Sequence, residues 1–268
     1  MLVCTLGDQT LDVVVRLSTQ LAPGGDTDAE IHVGPGGQAA NVAAWAAALG
    51  ATARSIGKRG DDDAGRLVRE RLEARGVEVV GPEEGRNGVI CSLVSADGMR
   101  SMAADRAAGA ALRPDDIDEA WLDGCDHLFV SGYALLREPA RAAALHAVSL
   151  ARARRAAVSV DLSTWSALRD AGPDVVRDTI VRLAPDVVFA NDDEERIIGG
   201  PLAGVTWISK RGPGGASFDG DLRAALPVER VVDSTGAGDA LAAGFIVGGP
   251  ELALEAAARC VARLGSMP

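Results

Sequence analysis

The chain has 268 residues, 47% hydrophobic and 24% charged, enough for one large α/β domain with a sizeable core. A net charge of −11 argues against nucleic acid and anionic membrane as partners, so any phosphate has to be handled locally, by backbone amides and metal. No run of 18 apolar residues occurs, Met1–Gly7 lacks a basic flank, and Cys4, Cys91, Cys125 and Cys260 show no CxxC spacing. Free thiols in the cytoplasm are therefore expected, rather than secretion, a membrane span or zinc.

Leu2–Leu6 reads as a buried strand at the centre of a parallel sheet, and Val13–Leu17 resumes β character. Asp8 and Asp12 stand beyond a strand's carboxyl end, where ligands of open α/β sheets collect; each is a substrate ligand or the cap of a turn. Gly34-Pro35-Gly36-Gly37-Gln38-Ala39-Ala40-Asn41 opens a helix over Val42–Leu49. Glycines there let a substrate lie against the backbone, and Asn41 offers a donor and an acceptor to a hydroxylated ring, or merely starts the helix. Asp61-Asp62-Asp63 precede an amphipathic helix through Arg75, and a solvated helix start explains them better than a metal.

Val89–Val94 and Met99–Met102 read as strands about a turn at Asp97-Gly98; with the strand after Asp12 they make a small projecting sheet. Arg106, at the return from that sheet, reaches a substrate or phosphate, or forms a surface salt bridge. Strands at His127–Ser131, Ala157–Asp161, Val187–Ala190 and Val205–Ser209 alternate with helices, which predicts a mostly parallel sheet. Asp161 ends its strand on the ligand side. Trp165 stacks on a ligand or packs in the core. Asn191-Asp192-Asp193-Glu194-Glu195 suits Mg²⁺, which wants few carboxylates, or a plain acidic helix start. In the turn Lys210–Gly215, Lys210 supplies charge while Gly212 and Gly215 let the backbone bend; it is not a Walker A loop.

Val231-Val232 suggest the end of a strand, Asp233–Gly238 a tight loop, and the Ala-rich run after it a helix. Such a loop is an anion site, with outward amides and a positive helix end. Asp239 lies in the first helical turn, as an N-terminal cap or as a general base. Glu251–Leu264 forms a further helix. Without a repeat or linker, residues 1–268 read as a single domain.

Asp233-Ser234-Thr235-Gly236-Ala237-Gly238-Asp239 resembles the C-terminal signature of the ribokinase-like (PfkB) carbohydrate kinases, usually Asp-Thr-Thr-Gly-Ala-Gly-Asp. Gly36-Gly37 with Asn41, Asn191 with Glu194, and Lys210 with Gly212 and Gly215 are similar to other family motifs, in family order. The resemblance implies a three-layer α/β/α domain with a mostly parallel central sheet and a small β lid, roughly residues 12–34 and 88–105. In many relatives that lid is also the dimer surface. It implies transfer of the ATP γ-phosphate to a hydroxyl, often a hydroxymethyl, of a small sugar. Asp239 would be the base, with Gly236, Ala237 and Gly238 forming the anion hole. Asp12, Gly36, Gly37, Asn41, Arg106 and Asp161 would hold the acceptor. Asn191, Lys210, Gly212, Gly215, Gly236 and Gly238 would hold ATP, and Glu194 the Mg²⁺. Some relatives also need a monovalent cation such as K⁺ near Asp233. Gln38 and Ala39 replace the Lys and Gly of ribokinase, which weakens ribose as the substrate. Ser163 and Trp165 depart from Asp-x-Asn-x-Arg, which counts against a sugar acid. A nucleoside kinase and a catalytically silent sugar sensor are the alternatives.

Overall fold

The computed structural model describes residues 1–95 and 100–268; the expected turn at Asp97-Gly98 lies outside the described residues. In chain order the elements are β1 (Leu2–Leu6), β2 (Thr10–Leu17), β3 (Ala29–Gly36), α1 (Gln38–Ala48), β4 (Thr52–Ile56), α2 (Asp63–Glu73), β5 (Val77–Val80), β6 (Val89–Val94) and β7 (Arg100–Asp105). Then come β8 (His127–Ser131), α3 (Ala140–Ala153), β9 (Ala157–Asp161), α4 (Trp165–Ala171), α5 (Pro173–Leu183), β10 (Val187–Asn191), α6 (Asp192–Ile198), β11 (Thr206–Lys210), β12 (Ala216–Phe218), β13 (Asp221–Arg223) and α7 (Ala237–Val261).

Nine strands form the main sheet in the order β13-β12-β11-β10-β9-β8-β1-β4-β5, parallel except for the antiparallel edge of β12 and β13. Successive side chains of a strand point to opposite faces, so a strand covered on both sides is apolar throughout. Val3 and Phe129 accordingly join the α1 and α7 residues in one core, while Cys4, Leu128 and Val130 join the α3 and α5 residues in the other. The chain leaves β1 toward β4 on one side and returns to β8 on the other. That places a topological switch point between β1 and β8, where open α/β sheets bind ligands.

A second sheet, in the order β3-β2-β6-β7, is built from the two stretches of chain that carry β2, β3, β6 and β7. β2 pairs antiparallel with β3 from Thr10↔Gly36 to Leu17↔Ala29 and parallel with β6, and β6 pairs antiparallel with β7.

Two local expectations are corrected. Helix α1 begins at Gln38 rather than Val42, because Gly37, at φ 94°, is its N-cap and Asn41 already donates to the Gly37 carbonyl at 2.9 Å. Val231-Val232 form no strand: β13 ends the sheet, and the Val232 amide donates instead to the Val261 carbonyl at 2.8 Å. The further helix expected over Glu251–Leu264 forms as the second stretch of α7, set off from the first by non-helical Gly248 and Gly249 before Pro250. That second stretch folds back so closely that a Cβ on Gly244 would lie 2.5 Å from the Leu252 carbonyl. By length and composition α7 could cross a bilayer. Ala240, Leu241, Ala242, Ala243 and Ile246, however, are buried in the core that α7 shares with α1.

Candidate active site

The carboxyl ends of β1, β8, β9, β10 and β11 and the N-termini of α1 and α7 converge on one region. At its centre is Asp239. Its carboxylate does not cap its own helix; Asn41 Nδ2 donates to Asp239 Oδ2 at 2.7 Å across a separation of 198 residues. Burial raises the Asp239 carboxyl to about 7; the Asn41 donor pulls it down, Asp161 pushes it up, Lys210 lowers it and Asp12 raises it. A carboxyl poised near neutrality can accept a proton from a hydroxyl at working pH.

Gly236, at φ 78°, is the N-cap of α7, and the αL turn it permits aims the first helical amides outward. The Ala237 amide is already turned back to the Ser234 carbonyl at 3.3 Å. The amides of Gly238 and Asp239 are thus the better placed donors to an anion. A Cβ on Gly236 would lie 2.5 Å from Ser266 Cβ, so the glycine also makes room for the C-terminal segment. That segment supports the site. Ser266 Oγ donates to Asn41 Oδ1 at 3.0 Å, and Trp45 Nε1 donates to the Ser266 carbonyl at 2.8 Å.

Lys210, at the end of β11, lays its stem over Gly238 and donates to both oxygens of Asp161 at 2.8 Å. Glu194 lies 3.8 Å from the same ammonium. Burial alone would lower the Lys210 ammonium, but Asp161 and Glu194 face it and hold it above its ordinary value. Burial raises Glu194, and Lys210 restrains the rise. Asp161 thus pairs with this lysine, and Ser163 N–H donates to its Oδ1 at 2.9 Å, while Oδ2 accepts from Lys210 alone among the described residues. Asn191 caps α6 in a reciprocal box: its Oδ1 accepts from Asp193 and Glu194, while its amide and Nδ2 donate to Glu194. Its side chain fixes Glu194. Gly215 allows β12 to approach the end of β13, and Gly212, at φ 51°, faces open space.

On the other flank, Thr10 Oγ1 donates to Asp12 Oδ1 at 2.8 Å. Burial raises Asp12 to about 6, opposed by Thr10 and reinforced by Asp8. A Cβ on Gly36 would fall on the Asp12 carboxylate, and one on Gly37 on the Asp8 carbonyl. The chain itself fills the room at both glycines, a different use from the substrate contact that the sequence suggested. Arg106 forms a salt bridge, with the buried Asp8, and lies over the Tyr133 ring, 3.8 Å from its centroid.

Sequence reasoning missed Gln38, whose Oε1 accepts from Ser131 Oγ and Ser163 Oγ, both at 2.6 Å, leaving its amide donors for a ligand. It also missed Tyr133 and Ser266. Trp165, offered as a stacking residue or a core residue, is 44% exposed at the start of α4. Asp62 caps α2, as the helix-start reading of Asp61–Asp63 expects.

Among the described residues no group of three or more His, Cys, Asp or Glu is arranged to hold a metal. Mg²⁺ is commonly held by one or two carboxylates and the substrate's phosphates, and a buried Glu194 fixed beside Lys210 fits that pattern. Near Asp233 the carboxylate accepts from Thr235 N–H and Oγ1 and from Gly265 N–H.

A family model described as pfkB family carbohydrate kinase matches residues 2–267. The chain is 34% identical over 282 aligned positions to a protein of Halopiger xanaduensis named ATP-dependent ribose-1-phosphate kinase, covering 96% of this chain and 90% of that protein. Its fold matches the crystal structure of adenosine kinase from Sinorhizobium meliloti with a TM-score of 0.88 at 23% identity, over 99% of this chain and 95% of that one. It also matches an uncharacterized sugar kinase from Pyrococcus horikoshii in complex with ATP, with a TM-score of 0.84 at 21% identity, over 99% and 95%.

Proposed function

The chain belongs to the pfkB family of carbohydrate kinases, and from that premise we propose that it transfers the γ-phosphate of ATP to a hydroxyl of a small sugar, with Asp239 as the general base. The observation that carries this reading is the Asp239 carboxylate, poised near neutrality in the first turn of α7 and held by Asn41 beside outward-facing amides.

In this mechanism the acceptor hydroxyl lies against Asp239, which takes its proton as the oxygen attacks phosphorus in line. Amides of Gly238 and Asp239, at the positive end of α7, draw charge from the transferring phosphoryl group. Lys210, over Gly238, adds a fixed positive charge on the nucleotide side. Mg²⁺, when bound with the nucleotide, neutralises phosphate charge, and Glu194 would hold it. Asp12 and Gln38 offer the hydrogen-bonding atoms that a polyol needs, and the lid covers them against water, which limits wasteful ATP hydrolysis. Free cysteine thiols accord with a cytoplasmic setting.

The relatives' names span a sugar phosphate and a nucleoside, and the site bears on the choice: the acceptor flank is polar, its aromatic ring at Tyr133 already covered by Arg106. A panel of sugars and nucleosides with Mg·ATP, read by ADP release, tests the proposal. Turnover on a sugar supports it; turnover on nucleosides alone replaces the acceptor; binding of sugar without turnover favours a sensor. A homodimer through the lid is part of the same proposal. Val13, Val15, Ile31, Val33, Cys91 and Leu93 share one lid face, and Ile31 and Val33 are exposed. Light scattering at twice the chain mass would support it.

A further inference from the structure

The second sheet joins the main sheet and its helices at Gln9-Thr10, Gly36-Gly37, Asn87-Gly88 and Asp105-Arg106. Asn87 sits where the first, third and last of these passages meet. It is 1% exposed, and both ends of its side-chain amide are engaged across the junction. Nδ2 donates to the Gln9 carbonyl at 3.3 Å, just before β2, and to the Gly88 carbonyl at 3.0 Å. Oδ1 accepts from Gly60 N–H at 3.0 Å. The Gly88 carbonyl also takes the Leu11 amide at 2.8 Å, and beyond β7 the Ala108 amide donates to the Arg86 carbonyl at 3.1 Å. The packing leaves no slack: a Cβ on Gly60 would lie 2.1 Å from the Asn87 nitrogen, and one on Gly88 2.9 Å from the Arg106 carbonyl.

Asp62 closes this junction from the main-domain side. Capping α2 needs one oxygen, and its Oδ1 accepts from Gly65 N–H at 2.9 Å. Its Oδ2 accepts instead from the Asn87 backbone N–H at 3.0 Å, across 25 residues. The aspartate run that reads as a solvated helix start thus makes a second, long-range bond that capping does not require. The junction leads directly to the acceptor flank. Gln9 is followed by Thr10, which holds Asp12, and Arg106, at the last passage, pairs with Asp8. A change of angle at Asn87 would move Asp12 and Arg106 together relative to Asp239, which stands on α7.

We propose that Asp62 and Asn87 form a hinge clamp that fixes the angle of the second sheet and so brings Asp12 to the acceptor; both are positioning residues for phosphoryl transfer. The proposal rests on the kinase reading above, with the second sheet as its lid.

Asp62→Ser separates the clamp from the cap. Serine caps a helix about as well as aspartate, but its single hydroxyl cannot also meet Asn87. Hydrogen exchange at the Leu11 and Ala108 amides, which neither side chain touches, should quicken ~10-fold or more relative to amides of β1 and β8, the scale of one hydrogen bond to a charged group. With the best-used sugar of the panel and Mg·ATP, KM for the sugar should rise by a similar factor while KM for ATP stays put. Asn87→Ala should give the same pattern from the other partner, and if it does not fold, Asp62→Ser decides alone. Wild-type exchange at Leu11 and Ala108 in Asp62→Ser would make Asp62 a helix cap only and overturn the proposal. Quickened exchange with an unchanged sugar KM, or with an equal rise in both KM values, would overturn the positioning role and leave the kinase reading standing. If the wild type turns over no sugar, the kinase reading falls, and exchange at the two amides alone decides the clamp.

Discussion

Lys210→Met tests the electrostatic frame of the site. Methionine keeps most of the stem over Gly238 but deletes a charge that meets Asp161 twice at 2.8 Å and faces Glu194 at 3.8 Å. Asp161 is fully buried and Glu194 is 1% exposed, so water cannot replace the lost counter-ion. Breaking a buried pair from one side costs about 3–5 kcal/mol. The donors that remain, Ser163 N–H to Asp161 and Asn191 to Glu194, place the expectation near the lower end, ~3 kcal/mol. The pH dependence has a definite sign. Burial already raises Glu194 and Lys210 restrains it, so without Lys210 its folded pKa climbs further above the unfolded value. A raised carboxyl stabilises the fold at low pH, and that contribution is lost as pH rises through the folded pKa. The variant's deficit should therefore be smaller at pH 5 than at pH 8. Urea unfolding of wild type, Lys210→Met, Asp161→Asn and the double variant across that range gives both the deficit and the coupling. A deficit under ~1 kcal/mol that ignores pH and does not couple to Asp161→Asn would refute the reasoning.

Asn41→Ala removes a donor to ionised Asp239 and moves its pKa upward from about 7. Because the base must be ionised, the acid limb of kcat/KM should move to higher pH by ~1 unit, and an unmoved limb would count against Asn41's role. Gly236→Ala forces a Cβ into the αL region and against Ser266; it should cost at least ~1–2 kcal/mol in denaturant unfolding and lower kcat. Ser266→Ala leaves Asn41 Oδ1 without its hydroxyl donor. It should lower kcat severalfold with little change in nucleotide KM, whereas unaltered kcat would make Ser266 a packing residue only.

The strands and helices were legible where hydrophobic runs met glycine and aspartate punctuation, and the Gly-Ala-Gly-Asp loop was legible through its spacing. Tertiary closure was not. Ser266 reaches Asn41 across 225 residues, and Ser163 reaches Gln38 across 125; small polar residues carry no local pattern that foretells such meetings. Val231-Val232 looked like a strand because β-branched residues favour one, yet the sheet already ends at β13. Asn191 and Glu194 were rightly paired by spacing. Spacing alone did not separate a metal motif from a capping box, and the box formed here holds Glu194 in a place where it can also meet an ion. Asp161 read as a ligand because it ends a strand on the ligand side; its pairing with Lys210, from the second strand over, carried no local signal.

The central claim is that Asp239 removes the acceptor's proton. Steady-state ADP release by Asp239→Asn, compared with wild type on the best sugar or sugar phosphate at saturating Mg·ATP, tests it most directly. Asparagine can still accept from Asn41, so the fold should persist by thermal melting while kcat falls by ~10²-fold or more, within the usual reach of base catalysis. Full turnover in the variant would contradict the account and move the proton to another group.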